Sequence, residues 1–423
     1  MGNSLKVIKG GTLIDGTGAT PLKDAVVVIQ DTKIVEVGKQ SDIRIPAGTD
    51  VIDANGRIVM PGLIDCHTHI SDVSTASAAT GWGVLEYSLS DRAVMAVVAA
   101  KKLLDAGITT IRDLGDAGLG SGTHISIAVR DAVERGDIMG PRIFSSDSGI
   151  TITGGHADMM KSVRALAFAG QGLGYGIVDG VTECIKAVRE QVRVGADQIK
   201  IWATGGVMEV TDRAGMQELS NEEITAIVNE AKKSGRFVAA HAVGPPETIR
   251  FCSETGVRSI EHGVFSDQKS IDMMREKGTY LVPTLIAYQL LTKDEFPTLT
   301  REVAKRAVAA HENTLKMAKK AGVKIAMGTD SGDPYGNVHG KSQALELELM
   351  ATRGLTEMES IIAATKHAAE CIGIGEKVGT LEPGKFADVL IVEGDPLREI
   401  RVFQDLNRIK MVMREGNAYV TRP

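Results

Sequence analysis

The sequence is poor in cysteine, and the cysteines that it has are widely separated. Four occur in 423 residues, and no two of them form a Cys-x-x-Cys pair. They are Cys66, Cys184, Cys252 and Cys371. Such spacing argues against a disulfide framework. We therefore predict reduced and mostly buried thiols in a cytoplasmic protein.

Positive charge is not in excess, and no long apolar run occurs. The net charge is −6 and the isoelectric point about 5.9, so the basic footprint of a nucleic-acid-binding protein is missing. Charges are scattered and form no polybasic patch. No stretch reaches the length that spans a membrane, and no apolar segment follows Met1 as in a secretory signal. We expect neither nucleic acid nor a membrane as a partner.

The overall composition is that of a globular protein, and the chain shows two different sequence patterns. Apolar residues make up 43% and charged residues 24%. Near both ends, short strand-like runs alternate with turn signals. These runs are residues 5–9, 25–30, 33–38, 50–53, 388–393 and 409–414. We predict that residues 1–60 and 373–423 build one small β-sandwich together.

Between the two ends, strand-like runs are followed repeatedly by helical runs. Eight strands are predicted, at residues 63–70, 109–114, 142–153, 198–203, 237–243, 259–265, 280–287 and 324–329. Helices are predicted at residues 91–106, 180–195, 221–234, 247–255, 301–321 and 356–372. This alternation indicates an α/β fold, a (β/α)8 TIM barrel over residues 61–372. In such a barrel the chemistry lies where the strands end.

The most informative motif lies at the end of the first predicted strand of this barrel. There, His67 and His69 are separated by one residue. Side chains alternate along a strand, so both imidazoles point the same way and can bind one metal ion. The alternative is two polar residues at a strand end with no ligand role. Cys66 points to the opposite face, and we interpret it as structural.

Further metal-ligand types follow at later strand ends. Strand four carries Lys200, strand five His241, strand six His262 and strand eight Asp330. Taken singly, each has a structural explanation: a snorkelling or ion-paired lysine, a histidine packed in the core, an aspartate that caps a helix. All of them fall where a barrel places its functional groups. We therefore predict a metal centre, and imidazole with carboxylate suits zinc.

This set of residues resembles that of the amidohydrolase superfamily. The flanking segments, Pro61-Gly-Leu-Ile-Asp-x-His-x-His and Gly384-Lys-Phe-Ala-Asp-Val-Leu-Ile-Val, are also similar to that family, and the resemblance covers nearly the whole chain. It implies two Zn²⁺ or other divalent ions per chain. It also implies that CO2 carboxylates the strand-four lysine, whose carbamate then bridges the ions. The ligands implied are His67, His69 and Asp330 for one ion, His241 and His262 for the other, and Lys200 between them.

The resemblance also implies a mechanism. A hydroxide that bridges the metals attacks the scissile carbonyl, and Asp330 accepts its proton and passes it to the leaving amine. Asp330 and His262 are the candidate catalytic residues. Deaminase-like members often carry His-x-x-Glu after strand five, whereas the run His241-Ala-Val-Gly244 has no glutamate. This difference, together with Lys200, favours amide hydrolysis over deamination.

Finer similarity is to the metal-dependent imidodipeptidases (prolidases) and carboxypeptidases of the superfamily. It rests on residues 151–156, on the loop 205–215 and on His339-Gly340. The leading hypothesis is a zinc dipeptidase of the Xaa-Pro type that releases the C-terminal residue. The alternatives are an N-acyl-amino-acid or cyclic-amide hydrolase, a mononuclear deaminase, and a metal-bound barrel without activity. We expect a small-molecule substrate (a dipeptide or an N-acyl amino acid) and a homo-oligomer.

Five residues near strand ends are candidate substrate-binding groups: His156, Arg213, Val243, Tyr288 and His339. Two glycines precede His156 and permit a close backbone approach to a ligand. Arg213 can bind a carboxylate through two hydrogen bonds. Solvated loop positions or packing are the alternatives. Relatives often have tyrosine, which can help hold the substrate carboxylate, where Val243 stands. The glycine-rich segment 154–180 is a predicted lid.

Overall fold

A computed structural model of the chain describes residues 5–72, 87–115, 123–158, 176–207, 215–332 and 336–423. Its strands are β1 (Leu5–Leu13), β2 (Leu22–Gln30), β3 (Lys33–Lys39), β4 (Asp50–Asp53), β5 (Ile58–Pro61), β6 (Leu63–Thr68), β7 (Ile108–Asp113), β8 (Arg142–Ser145), β9 (Gly149–Ile150), β10 (Ile199–Trp202), β11 (Val238–Ala242), β12 (Ser259–His262), β13 (Tyr280–Val282), β14 (Val389–Val392), β15 (Ile409–Arg414) and β16 (Asn417–Thr421). Its helices are α1 (Leu89–Asp105), α2 (Ile125–Arg135), α3 (Val181–Val194), α4 (Asn221–Lys233), α5 (Pro246–Thr255), α6 (Gln268–Lys277), α7 (Leu285–Leu290), α8 (Thr298–Ala321), α9 (Ser342–Arg353), α10 (Glu357–Ala363) and α11 (Lys366–Ile372).

Local signals account for the ends of several helices. α1, α4 and α10 each begin at a capping box, in which a serine or threonine and an acidic residue three positions later satisfy each other's backbone N–H groups. α3 and α8 end at glycines in left-handed backbone, which that residue adopts without a Cβ clash. Within the described segments, no helix combines the length and apolar character that crossing a membrane requires.

The two ends of the chain meet in one sheet. Its strand order is β16-β15-β14-β5-β1-β2-β3, and β4 pairs with β1. β1 runs antiparallel to β2 but parallel to β4 and β5, so the sheet is mixed. The junction between the chain ends is the antiparallel pairing of β14 with β5, Val389 opposite Pro61. The predicted cooperation of both ends is therefore present as an eight-stranded sheet, whereas the two-layered sandwich stays a prediction.

The middle of the chain forms two all-parallel sheets with helices between their strands. One has the order β13-β12-β11-β10-β9 and the other the order β6-β7-β8. Because the strands run parallel, their carboxyl ends lie at the same edge. Most of the buried apolar residues, among them Ile199, Ile201, Ile224 and Ile227, belong to one cluster that includes both strands and helices. The fold class is α/β, as predicted.

The eighth predicted strand, residues 324–329, is extended chain with isolated pairings. Ile325 bridges to Leu281 of β13, and Ser331 bridges to Thr68 of β6, so this segment touches both parallel sheets. Gly328 approaches its neighbours so closely that a Cβ would meet Val282 at 2.4 Å and the Cβ of His67 at 2.9 Å. The left-handed backbone of Asp330 then ends the extended stretch.

Two other predicted strands are shorter than expected. Residues 142–153 divide into β8 and β9, because Asp147 between them has left-handed backbone with a φ of 64°. Residues 280–287 end as a strand at Val282, and α7 begins at Leu285 after the left-handed Thr284. The predicted helix 356–372 is likewise two helices, α10 and α11. These predictions were wrong about the lengths of the elements but right about their positions in the sequence.

Candidate metal centre

Six potential metal ligands lie in or directly after the parallel strands and the extended segment that ends at Asp330. His67 lies in β6 and His69 directly after it, while Lys200, His241 and His262 lie in β10, β11 and β12. Asp330 follows the extended segment that touches β6 and β13. Alternation along β10 explains how a lysine enters this position: Ile199 and Ile201 join the apolar core, and Lys200 points to the opposite face. These are the residues that the sequence predicts.

Three of the six form a compact group. One ligand atom each from His67, His69 and Asp330 lies within 4.8 Å of the others. The Asp330 Oδ1 atom is 3.1 Å from His67 Nε2 and 3.0 Å from His69 Nε2. Lys200 Nζ lies 3.4 Å from His67 Nε2. Two imidazoles and a carboxylate at these separations are a donor set that suits a divalent ion.

The remaining two histidines adjoin this group. The ring of His262 is 5.2 Å from that of His67 between centroids, and the ring of His241 is 4.5 Å from that of His262. His241 Nε2 is buried, and none of the described residues offers it a hydrogen-bond partner. A buried polar atom without a partner is costly, and a ligand atom for a metal is one explanation. The structure thus brings all six candidates together, and their chemistry fits a metal site.

The electrostatics of the group also suit metal binding. Burial lowers the pKa of His241 and of His262 well below the usual value, so both are neutral imidazoles with a lone pair to donate. Burial disfavours charge on Asp330, but the charge and hydrogen bond of His67 hold its pKa well below the usual value. Burial also lowers the pKa of His69, yet Asp330 outweighs it and raises that pKa to about 10. A metal ion at His69 Nε2 must therefore displace a proton.

Hydrogen bonds fix the orientation of the imidazoles. His67 Nδ1 donates to Glu261 Oε2 at 2.9 Å, and His69 Nδ1 donates to the carbonyl of Gly115. His262 Nδ1 lies 2.7 Å from Thr284 Oγ1. Each of these rings therefore turns its Nε2 away from the bonded partner, the arrangement that metal-binding histidines require.

The backbone around the ligands is strained. His262, Thr284 and Asp330 have φ angles of 69°, 52° and 60°, a region that residues with a Cβ seldom occupy. The Asp330 N–H donates to the His67 carbonyl at 2.8 Å, and Asn337 donates to the Asp330 carbonyl at 2.9 Å. These bonds hold the ligand where the local backbone alone would not. Strain of this kind is frequent at functional sites.

Sequence reasoning missed the groups that support the ligands. Asp65 accepts hydrogen bonds from Thr329 Oγ1 at 2.6 Å and Gln343 Nε2 at 2.8 Å, which ties β6 to the segment before Asp330. Glu261 forms a fully buried ion pair with Arg112, 2.7 Å long. The available signal was charge inside apolar strand runs, in Leu-Ile-Asp65 and Ile-Glu261. A charge in such a run predicts that the side chain has a buried partner, but the sequence does not identify that partner.

The substrate-binding candidates lie at different distances from this centre. The ring of His156 stacks on that of His241 at 4.7 Å, and the ring of Tyr288 meets that of His262 at 5.6 Å. Val243 is buried in an apolar cluster that includes Tyr288. Buried His339 hydrogen-bonds to Ser331 next to Asp330, with 2.9 Å between Nδ1 and Oγ. Arg213 and residues 159–175 of the predicted lid lie outside the described residues.

A group of imidazoles with a carboxylate, at the carboxyl ends of parallel strands, is characteristic of metal-dependent hydrolases. The chain belongs to the amidohydrolase family, whose sequence profile matches residues 58–419. It is accordingly an enzyme, a hydrolase of amide bonds.

Several solved and curated proteins are similar to this chain over nearly its whole length. A solved Xaa-Pro dipeptidase with methionine bound in its active site is 34% identical, with a TM-score of 0.86, and the match covers 98% of this chain and 100% of that one. A prolidase complexed with N-methylphosphonate-L-proline is 30% identical, with a TM-score of 0.84 over 99% of this chain and 100% of that one. Ochratoxinase of Aspergillus niger is 33% identical over an alignment of 434 positions, which covers 98% of this chain and 86% of that protein. The predicted relationship to prolidases is confirmed.

Proposed function

We propose that this protein is a binuclear zinc dipeptidase that cleaves Xaa-Pro or related dipeptides and releases the C-terminal residue. The observation that carries the proposal is the meeting of His67, His69 and Asp330 within 4.8 Å of one another. The two solved relatives named as a Xaa-Pro dipeptidase and a prolidase support the choice of substrate.

We also propose that the two parallel sheets are arcs of one (β/α)8 barrel over residues 61–372. The segment around Asp330 supports this closure, because Ile325 and Ser331 bridge to β13 and β6. On the other side, Ser145 at the end of β8 accepts a hydrogen bond from the N–H of Asp197, just before β10, at 2.7 Å. Residues 1–60 and 373–423 would form the small accessory domain.

The six ligand candidates would divide between two ions. His67, His69 and Asp330 would hold one, His241 and His262 the other, with Lys200 shared. When bound, two divalent ions supply an activated water and polarise the scissile carbonyl. Asp330 takes up the proton of that water at a carboxylate oxygen and gives it to the leaving amine nitrogen. Its low pKa keeps it ionised at neutral pH.

Lys200 would take part as a carbamate. Burial lowers its pKa to about 8, so an appreciable fraction is the neutral amine near neutral pH. The Nζ lone pair attacks the carbon of CO2, a C–N bond forms, and one proton leaves. The product is an anion whose two oxygens can each bind an ion. This change also replaces a buried cation, which is costly, by a group with partners.

Hydrolysis of N-acyl amino acids or cyclic amides is the second candidate function. Two observations favour it. Val243 stands where relatives often have a tyrosine that can help hold a carboxylate, and it is packed among apolar residues such as Val264 and Tyr288. In addition, the ochratoxinase relative carries a name that indicates a toxin, not a dipeptide, as substrate. The same metal centre would serve either reaction.

The test combines metal analysis with a substrate panel. Zinc per chain is measured on the purified protein, and Xaa-Pro and Xaa-Arg dipeptides are compared with N-acetyl amino acids. Two zinc ions with release of the C-terminal residue are the expected result. Two ions with turnover of blocked amides only would select the second candidate. One ion, with ammonia as product, would contradict both proposals and favour deamination.

A further inference from the structure

A fully buried ion pair lies behind one of the metal-ligand candidates. Arg112 of β7 donates through a terminal guanidinium nitrogen to Glu261 Oε1 of β12 at 2.7 Å. The second oxygen of this carboxylate, Oε2, accepts from His67 Nδ1 at 2.9 Å. The exposed fraction of each of the three residues is 2% or less. A continuous chain of charged hydrogen bonds therefore runs from the guanidinium to the imidazole.

The remaining polar atoms of the pair are also engaged. Arg112 donates through Nε to the carbonyl of Cys66 and through its other terminal nitrogen to Ser259 Oγ at 2.9 Å. The Ser259 hydroxyl in turn donates to Glu261 Oε1. Contacts with β6, β7 and β12 thus fix the carboxylate in position and orientation. The buried guanidinium of Arg112, 2.7 Å from Oε1, keeps Glu261 an ionised carboxylate.

Stability alone explains such a pair poorly. Removing two charges from water costs several kcal/mol per ion, and apolar replacements of buried pairs are often neutral or stabilising. The position of the pair suggests another use. His69 Nδ1 is bonded to a backbone carbonyl and His262 Nδ1 lies near a hydroxyl, whereas His67 Nδ1 has an ionised carboxylate. A carboxylate partner makes an imidazole a stronger metal ligand than a neutral acceptor does.

We propose that Arg112 and Glu261 are positioning residues that hold His67 with Nδ1 protonated and Nε2 directed at the metal. This inference rests on the metal centre proposed above. Glu261 acts through His67 and does not touch the substrate, and Arg112 acts through Glu261. Loss of the carboxylate charge would weaken binding of the ion that His67 holds and leave the rest of the site in place.

The experiment measures zinc affinity, not activity alone. Glu261→Gln keeps the size and an acceptor oxygen but removes the charge. The dissociation constant for Zn²⁺ is measured by competition with a chromophoric chelator, and the melting temperature is recorded alongside. We expect the affinity for one of the two zinc ions to fall by about 10- to 100-fold, the range found when a hydrogen-bond partner of a metal-binding histidine is removed. Unchanged affinity for both ions in the folded variant would overturn the proposal.

A second variant and a control separate positioning from folding. If Glu261→Gln does not fold because Arg112 is left unpaired, the double variant Arg112→Met/Glu261→Gln removes both charges and is held to the same expectation. The control is Arg142→Met/Asp388→Asn, a 2.9 Å pair that joins β8 to the terminal sheet. It should lower the melting temperature and leave zinc affinity unchanged. Equal zinc loss in control and test would show a merely structural role. A wild-type chain that binds no zinc would instead refute the metal centre itself.

Discussion

At the scale of single residues, Asp330 combines strained backbone with a strongly held charge. Its left-handed conformation is maintained by hydrogen bonds to the His67 carbonyl and from Asn337. The same residue places one carboxylate oxygen about equally far from two imidazoles, at 3.1 and 3.0 Å. A group so placed can serve both as a ligand and as a proton carrier. Its two roles can be separated by a substitution that preserves shape.

Asp330→Asn tests the proton-carrying role. The amide keeps an oxygen for metal binding but cannot accept the proton of the attacking water. We expect most of the metal to remain and turnover to fall by about 10²- to 10⁴-fold, the usual contribution of a general base. Metal content and kcat are measured together. Asp267→Asn, which retains a helix-capping side chain at α6, is the control and should turn over normally. A wild-type rate in Asp330→Asn would show that the base is another group.

Lys200→Ala tests the carbamate. We expect it to lose most activity and much of the bridged metal, because no group replaces the shared anion. ¹³C NMR after incubation with labelled bicarbonate should show a carbamate signal in the wild type that the variant lacks. Lys324→Ala, which removes a surface partner of Glu370, is the matched control. Near-normal turnover of Lys200→Ala at full metal content would refute the carboxylated lysine.

At the scale of elements, α9 supports the site from outside the strands. Gln343 in its first turn donates to Asp65, which braces β6. One turn later, Glu346 accepts hydrogen bonds from the N–H groups of Leu285 and Ile286, at 2.9 and 2.8 Å. These bonds begin α7 directly after Thr284, whose hydroxyl lies beside His262 Nδ1. One helix therefore positions two separate parts of the ligand set.

The buried carboxyl on α9 should make stability depend on pH. Burial raises the pKa of Glu346 from 4.5 to about 8, and the negative charge of nearby Asp65 adds to this rise. The two N–H bonds and the positive charge of Arg353 act in the opposite direction and only partly offset it. Because the pKa is higher in the folded state, the contribution of Glu346 to folding stability is fully present below about pH 4.5. It is lost as pH rises through about 8. Glu346→Gln removes this loss. We expect the free energy of unfolding in urea to become progressively larger for the variant than for the wild type from about pH 5 to about pH 8. The difference should grow by at most about 1.4 kcal/mol per pH unit.

Glu359→Gln provides a control of opposite sign. Burial disfavours charge on Glu359, but the hydrogen bond from Lys319 lowers its pKa. Its contribution is therefore lost only as pH falls through the acid range, and the difference from wild type should be constant above neutral pH. A Glu346→Gln curve parallel to that of the wild type across the same range would show that this carboxyl is ionised throughout.

The same elements show how far the sequence predicts the structure. Five of the six predicted helices have ends within about three residues of the observed ones, because capping boxes such as Ser220 with Glu223 are local, whereas α2, α6, α7 and α9 were not predicted. The strand over 280–287 was overextended because α7 is started by Glu346, a residue about sixty positions away. The ligand candidates were predicted because each lies in or just after a recognisable strand-like run of the sequence. Arg112 and Glu261 were missed because their meaning depends on a contact between distant strands, which no local pattern records.

At the scale of the whole molecule, the terminal sheet and the parallel strands are linked by charge. Arg142 of β8 bonds Asp388 at 2.9 Å and Glu415 at 2.6 Å, both from the C-terminal part of the chain. Arg414 of β15 donates to the carbonyl of Gly140. The chain ends are therefore joined by hydrogen-bonded ion pairs to the unit that carries the candidate metal ligands. We expect the two units to unfold together.

Metal removal tests this coupling. The proposed ligands come from β6, β10, β11, β12 and the segment that ends at Asp330, so bound ions would cross-link strands distant in sequence. An ion present at about 1,000 times its dissociation constant stabilises the folded state by about 4.1 kcal/mol. We expect chelation to lower the melting temperature in one calorimetric transition that includes the terminal sheet. Arg142→Met/Asp388→Asn should begin lower yet lose a similar amount on chelation, because it spares the ligands. Two separate transitions, with only one sensitive to the chelator, would show that the terminal sheet unfolds independently of the metal centre.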